Sequence, residues 1–364
     1  MRVALLFCTG IVAGLGSGSL TDSCRADALT VAPDGSGDYP TIAAAITAAS
    51  DGDEILLLPG VFSGEGNHSL SFQGKAIHVR SSLDDPASCT IDCSGAAEAR
   101  AFEFFSGESG EAQLSSVTIS GGSMTDGGAL LVSLGASPTI SRCVFRDCSA
   151  DRFGGAVYCQ GACAPVFEEC LFLENAAVLF GGACYADVDA EPSFNLCTFA
   201  GNLAGSGGAI FSRSAMVMII GSTLEVNTAT VAGSGLYCDG SGSVALDRTL
   251  ITGGVGGEAI FCDDTYAAIL TACDLFGNEG GDWTAPIAGQ LGMDGNISAD
   301  PQFCEVDPLG HVSWVLQSDS PCAPTQAGEL IGAWPVGCDD TPARRASWGG
   351  IKALFGAAAR EEKR

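Results

Sequence analysis

Four charged side chains recur at nearly constant spacing: Asp187, Arg213, Asp239 and Asp263, at steps of 26, 26 and 24 residues, with Asp264 beside the last. Each follows a short apolar, aromatic segment, ACYA, AIFS, GLYC or AIFC. If those segments stack, three carboxylates and a guanidinium fall in one column. Carboxylates one or two layers apart could serve as paired acid and base, with Arg213 the nearby basic candidate for proton abstraction. Asp239, Asp263 and Asp264 could instead hold calcium through hard oxygen ligands. The competing reading is a solvated acidic edge beside a turn, where Asp is common.

Other candidates carry less. The stretch GSGDYPT (35 to 41) lacks the strand, third glycine and Lys of a phosphate-cradling loop. Cys89-x3-Cys93 and Cys159-x3-Cys163 are local pairs, but no second pair follows at zinc-module spacing, and His68, His78 and His311 are scattered.

The elements that would position the charged column form a repeat. Aligned glycine pairs give GGALLV at 127, GGAVYC at 154, GGACYA at 181, GGAIFS at 207, GSGLYC at 233 and GEAIFC at 257. A second column holds Cys143, Cys170, Cys197, Ser222, Thr249 and Cys273. A third, five residues on, holds Asn175, Asn202, Asn227 and Asn278, interrupted by Cys148 and Gly254. Ser116-Val-Thr-Ile, 27 residues before Cys143, suggests an earlier unit without its glycine pair. Within each unit, segments of four to six residues rich in Val, Ile, Phe and Tyr are bounded by Gly, Asp or Asn, which reads as short strands and turns. A propeller blade needs about 40 residues, and a leucine-rich frame is absent. What remains is a parallel β-helix in which equivalent residues stack at about 4.8 Å. Its Asn column would form a hydrogen-bonded ladder, offering a repetitive ladder face to a ligand.

The pairing of GGA-plus-apolar with F-x-x-N (Phe172 to Asn175, Phe199 to Asn202) resembles the repeat of polymorphic outer-membrane proteins and of related parallel β-helix proteins in the pectin lyase-like superfamily. The opening DGSGDYPTIAAAITAASDGDEILLLPGVF (34 to 62) looks like the start of many such proteins. The resemblance implies an all-β, single-stranded, right-handed parallel β-helix solenoid of about ten coils with a short N-terminal capping helix, here Thr41 to Ser50, and a first strand over Glu54 to Leu58. Many members cleave acidic polysaccharides with carboxylates on adjacent coils, aided by calcium or a basic residue. The short motifs of a polygalacturonase are missing, since Gly310-His311-Val312 stands alone, and those of a pectin methylesterase are missing too.

Residues 1–28 read as a signal peptide: a basic Met1-Arg2, an apolar run and an Ala26-Asp27-Ala28 cleavage site. Residues 29–338 are the β-helix domain, with regular repeats over about 116–281 and a C-terminal closure over 282–338. Residues 339–364 are a basic tail, in which Trp348, Ile351, Leu354 and Phe355 could form one apolar stripe. No segment of the mature chain reads as transmembrane. Of 17 cysteines, removal of Cys8 and Cys24 leaves 15, a number that fits an oxidising compartment. Buried thiol stacks are favoured for Cys143, Cys170 and Cys197, and thiols or a bridge are equally open for Cys238 with Cys262. Bridges are expected for Cys89 with Cys93 and for a pair among Cys304, Cys322 and Cys338, which turns can orient.

From Leu29 to Cys338 the chain carries 37 acidic and 8 basic residues, a balance of −29. Nucleic acid is therefore excluded as a partner, and a polyanionic substrate would be repelled unless calcium bridged the two. The sequence points to a secreted or bacterial cell-surface protein acting as a non-catalytic binding, adhesion or structural module, with an extracellular glycan or cell-surface protein as partner. The alternative is a carbohydrate-active enzyme, a lyase or hydrolase, with Asp187, Arg213, Asp239, Asp263 and Asp264 as its candidate residues. Oligomeric state is not legible.

Overall fold

A computed structural model describes residues 27–263, 267–304, 314–324 and 330–338. The signal peptide lies outside these residues apart from its last two positions, and Asp264, His311 and the 339–364 tail lie outside them entirely.

The chain winds into an all-β parallel solenoid of about 9 turns. Four parallel sheets of ten, five, eight and nine strands form its sides, the five-stranded one only between Ser123 and Ala232. One coil shows the order. Leu130–Ser133 joins the eight-stranded sheet, Thr139–Ser141 the ten-stranded, Val144–Arg146 the nine-stranded and Ser149–Phe153 the five-stranded, before Val157–Gln160 returns to the eight-stranded sheet one layer on.

Side chains alternate in and out along each strand. The inward set stacks on itself: Phe145, Phe172 and Phe199 lie face to face at 4.9 and 4.6 Å, and Phe167 and Phe194 at 5.0 Å. At one end the helix Ile42–Ala48, the only α-helix among the described residues, adds Ile42, Ala45 and Ile46 to this core. Thr41 caps it by accepting from the Ala44 N–H at 3.2 Å. The helix is shorter than Thr41 to Ser50, and the first strand is not Glu54–Leu57 but Ala28–Val31, which pairs with it.

The glycine pairs close a tight corner. Gly154 takes a φ of +63°, and a Cβ on Gly155 would sit 2.1 Å from the Gly182 carbonyl oxygen of the next coil. The cysteine column forms a second corner. Cys143, Cys170, Cys197 and Cys273 each donate a thiol proton to two carbonyls, as Cys170 does to Ile140 and Glu168 at 3.4 Å. Ser222 and Thr249 do the same through oxygen at 3.1 to 3.3 Å. The column is thus a hydrogen-bonding position that also wants apolar bulk, which thiols supply. All of these thiols are free, as are Cys238 and Cys262, which face each other in register.

Register corrects two expectations. Thr118 pairs with Val144, so Val117, not Ser116, stacks on Cys143. Gly60 pairs with Cys89 and Thr90 with Thr118, so Cys89 heads the same column. Cys89 and Cys93 are both free thiols. Four residues apart along extended chain, they are separated by roughly 13 Å, beyond bridging reach. The described residues contain one disulfide, Cys304 to Cys338.

The asparagine ladder forms as expected but faces inward. Asn202 Nδ2 donates to Asn227 Oδ1 at 2.9 Å and to the Phe172 carbonyl at 2.9 Å, and its Oδ1 accepts from Asn175 N and Nδ2. Asn175, Asn202 and Asn227 are at most 1% exposed. A ladder that satisfies buried backbone groups has no edge left to offer a ligand, so the ladder face is not a binding surface.

The described C-terminal residues pack in two places. Ile287 is fully buried in the main core and Trp283 packs against it, so this stretch plugs the open end. The remainder turns back along the outside of the nine-stranded sheet. There Trp314 and Trp334 cover Val144, Leu171 and Leu173, while Leu316, Cys322 and Ile331 cover Leu250.

Candidate functional site

The outward positions of the eight-stranded sheet form two parallel files. Tyr158, Tyr185, Phe211, Tyr237 and Phe261 stand in register on successive strands; Tyr158 is tilted against Tyr185 at 5.6 Å, and the following rings stack at 5.2, 4.8 and 4.6 Å. Two positions after each ring come Gln160, Asp187, Arg213, Asp239 and Asp263; Arg213 and Asp239 pair in register, and Asp187 and Asp263 stand one residue beyond the ends of their strands. The structure therefore brings four of the five candidate residues into one column. The tyrosines were missed as site residues, although the pattern was visible: two positions before each charged residue stands an aromatic, and a period of two places both on one face.

A second aromatic file covers part of the first. Phe153 and Phe180 stack on each other at 5.7 Å, with Phe153 4.7 Å from Tyr185 and Phe180 4.5 Å from Phe211. In register with these two on the next coils stand Ser206 and Ala232. Two rings are thus followed by two small side chains. Tyr185 is 1% and Phe211 3% exposed under the cover, whereas Tyr237 and Phe261, beyond it, are only partly buried. The uncovered rings are flanked by Arg213, Asp239 and Asp263.

The electrostatics separate structural from available groups. Asp187 has both oxygens engaged: Oδ2 accepts from the Tyr158 hydroxyl at 3.0 Å and Oδ1 from the Val188 N–H at 2.9 Å. Asp263 Oδ2 accepts from the Gly240 N–H at 2.9 Å, tying one turn to the next. Burial pushes the Tyr185 hydroxyl up to about 12, with the Asp187 charge adding to the rise and Arg213 opposing it. Burial first, then Asp187, raises Tyr158 further, and burial with Asp239 and Asp263 raises Tyr237. Arg213 is itself raised by its contact with the Tyr185 hydroxyl. All three tyrosines are therefore neutral: the Tyr158 hydroxyl donates to Asp187, and the Tyr185 hydroxyl accepts from Arg213. A proton-abstracting tyrosine needs the opposite displacement, toward the working pH.

Of the three residues expected for calcium, Asp239 and Asp263 are described and Asp264 lies outside the described residues; calcium takes six to eight oxygens. Among the described residues no three His, Cys, Asp or Glu side chains gather at a metal-holding distance.

At the head of the aromatic face, Asp126 holds Arg152 in a two-pronged ion pair, and Arg152 lies 5.0 Å above the Phe153 ring.

Residues 196–213 match the Chlamydia polymorphic membrane protein repeat. That segment spans Cys197, the F-x-x-N ending in Asn202, the glycine pair Gly207-Gly208 and Arg213, so it includes one rung of each column described above. No curated protein matches the chain. Among solved structures, a PL6 family alginate lyase aligns at 11% identity with a TM-score of 0.24, over 87% of this chain and 59% of the lyase. The chain thus spans less than two thirds of that lyase. Among the described residues no helix is long and apolar enough to cross a membrane.

Proposed function

We propose that the chain is a surface-displayed binding module that takes up a glycan along its eight-stranded sheet, over Tyr237 and Phe261. The observation that carries this reading is the interrupted cover. Phe153 and Phe180 already show that a flat ring fits over this aromatic file, and Ser206 and Ala232 leave the next two places open. A pyranose ring presents an apolar face to such a platform and hydroxyls to its edge. Arg213, Asp239 and Asp263 would receive those hydroxyls as the few orienting polar groups of a mostly apolar site. The overall charge of −27 favours a neutral or amino-bearing glycan over a polyuronate. Surface display is supported by the repeat match over 196–213 and by the signal-like residues 1–28.

A non-catalytic module fits better than a lyase or hydrolase, because Asp187 and Asp263 accept backbone N–H bonds and the tyrosines are held neutral. The mature chain should bind immobilised neutral polysaccharides, and Tyr237→Ala with Phe261→Ala should weaken binding about tenfold or more, as loss of a central aromatic anchor does. Incubation with uronate and neutral polysaccharides, with and without calcium, tests the alternative. Turnover that disappears in Asp239→Ala/Asp263→Ala would replace the binding reading with an enzymatic one.

A further inference from the structure

Three side chains near the N-terminal end of the ten-stranded sheet stand in line across neighbouring strands. Glu54, on Glu54–Leu57, pairs in register with His78, on His78–Ser81, and the next strand, Gln113–Ser115, sets Ser115 diagonally from that histidine. A period of two puts all three on one face. Ser115 Oγ lies 2.7 Å from His78 Nε2, and Glu54 Oε1 lies 3.9 Å from His78 Nδ1. The other oxygen of Glu54 is held by Arg80, whose Nη2 donates to Oε2 at 3.3 Å. Arg80 Nη1 donates to Asp84 at 3.1 Å. Arg142 faces the same carboxylate at 3.8 Å, and it follows Ser141, the register partner of Ser115. Ser115 is 2% exposed, while the His78 and Arg142 side chains are 25% and 45% exposed, so the hydroxyl is reached past those two.

We propose that Ser115, His78 and Glu54 form a second site, which hydrolyses carboxylic esters through an acyl-serine, with the Arg142 guanidinium beside the developing oxyanion. The order is the one acyl transfer requires, with the nucleophile on Nε2 of the base and the orienting acid on Nδ1. Burial is the main cause that lowers the His78 pKa; Glu54 and Asp84 oppose it, and Arg80 and Arg142 add to it. The imidazole is therefore neutral and able to take a proton. Ser115 Oγ attacks the ester carbonyl carbon as its proton passes to Nε2. The ester C–O bond then breaks, and the alcohol leaves with that proton. Water next gives a proton to Nε2 and attacks the acyl carbon; Ser115 Oγ departs and recovers the proton, and a carboxylic acid is released. Glu54 acts through His78, as a positioning residue that keeps the Nδ1 proton in place. Arg142 supplies fixed charge where the carbonyl oxygen turns negative. Tyr237 and Phe261 lie on the last two strands of another sheet, so this site stands or falls separately from the glycan reading.

Labelling of the full chain with a fluorophosphonate, mapped by mass spectrometry, tests this together with hydrolysis of p-nitrophenyl acetate. The adduct should sit on Ser115, and Ser115→Ala should abolish both the adduct and the hydrolysis. Hydrolysis should fall about a hundredfold or more in His78→Gln, and in the wild type it should rise with pH through a midpoint below about 6.5. Glu54→Gln should lower kcat with KM unchanged and move that midpoint further down, because the charge that opposes the fall in the His78 pKa is gone. A merely structural role for Glu54 would leave the midpoint where it is. Absence of an adduct on Ser115 in the folded wild-type chain would overturn the proposal. So would undiminished labelling of Ser115 in a His78→Gln variant that melts at the wild-type temperature.

Discussion

The Tyr158 hydroxyl donates to Asp187 Oδ2 at 3.0 Å across one coil, while Asp187 Oδ1 accepts from its neighbour's backbone at 2.9 Å. A carboxylate placed to look catalytic in sequence is therefore a bracket between two coils. Asp187→Ala should lower stability by about 1 to 2 kcal/mol, since a partly buried hydroxyl and an N–H lose their acceptor. Glycan affinity at Tyr237 and Phe261 should stay within about twofold of wild type. Chemical denaturation and a binding isotherm on the same variant check both halves.

The asparagine ladder should be far more sensitive. Asn202→Ala strips partners from Asn175 N and Nδ2, Asn227 Oδ1 and the Phe172 carbonyl, all in the interior. A loss of about 2 to 4 kcal/mol is expected, from several buried polar groups left unsatisfied at once. A denaturation midpoint close to wild type would show that water or rearrangement replaces the ladder.

Two alanine substitutions separate close approach from backbone strain. At Gly155 a Cβ meets backbone at 2.1 Å, so Gly155→Ala should fail to fold or lose more than about 3 kcal/mol. At Gly161, with φ of +68° and nothing within 4 Å, the same change should cost only about 1 kcal/mol. Soluble yield and thermal melts distinguish them.

The thiol column predicts chemical inertness. Alkylation of the native protein should leave Cys143, Cys170 and Cys197 unmodified, and non-reduced peptide mapping should return Cys304–Cys338 without a Cys89–Cys93 bridge. Cys170→Ser should stay within about 1 kcal/mol of wild type, because Ser222 and Thr249 already serve in that column.

Docking of the described C-terminal residues on the nine-stranded sheet should weaken as pH rises. Burial raises the carboxyls of Glu225, against which Trp314 lies, and Asp274, against which Cys322 lies. In each case the docked state holds its proton more tightly than the released one. Their contribution to docking is therefore complete below the ordinary carboxylate range and is lost as pH climbs through the raised values. Exchange protection of 330–338, corrected for the intrinsic exchange rate, should fall as pH rises above the ordinary carboxylate range, and Glu225→Gln, which keeps an acceptor for Trp314, should flatten part of that dependence.

The periodic columns were legible in the sequence because a solenoid converts sequence period directly into spatial register. Glycine pairs, thiols, asparagines and charged residues each recur about once per coil, so each becomes a stack, and the β-helix follows from the interval alone. Reach across the surface was not legible. Whether the asparagines face in or out depends on which backbone groups the bend leaves unpaired, and whether Asp187 is free depends on Tyr158 one coil away. Tyr237 and Phe261 are only partly buried, and Ser206 and Ala232, on a different sheet, take the places that Phe153 and Phe180 hold earlier. The path of the last residues along the nine-stranded sheet was least visible of all. It is set by contacts such as Trp334 with Thr198, more than a hundred residues apart in a segment without repeat. Local period fixes the neighbours along the stack, and only the folded chain decides what lies over it.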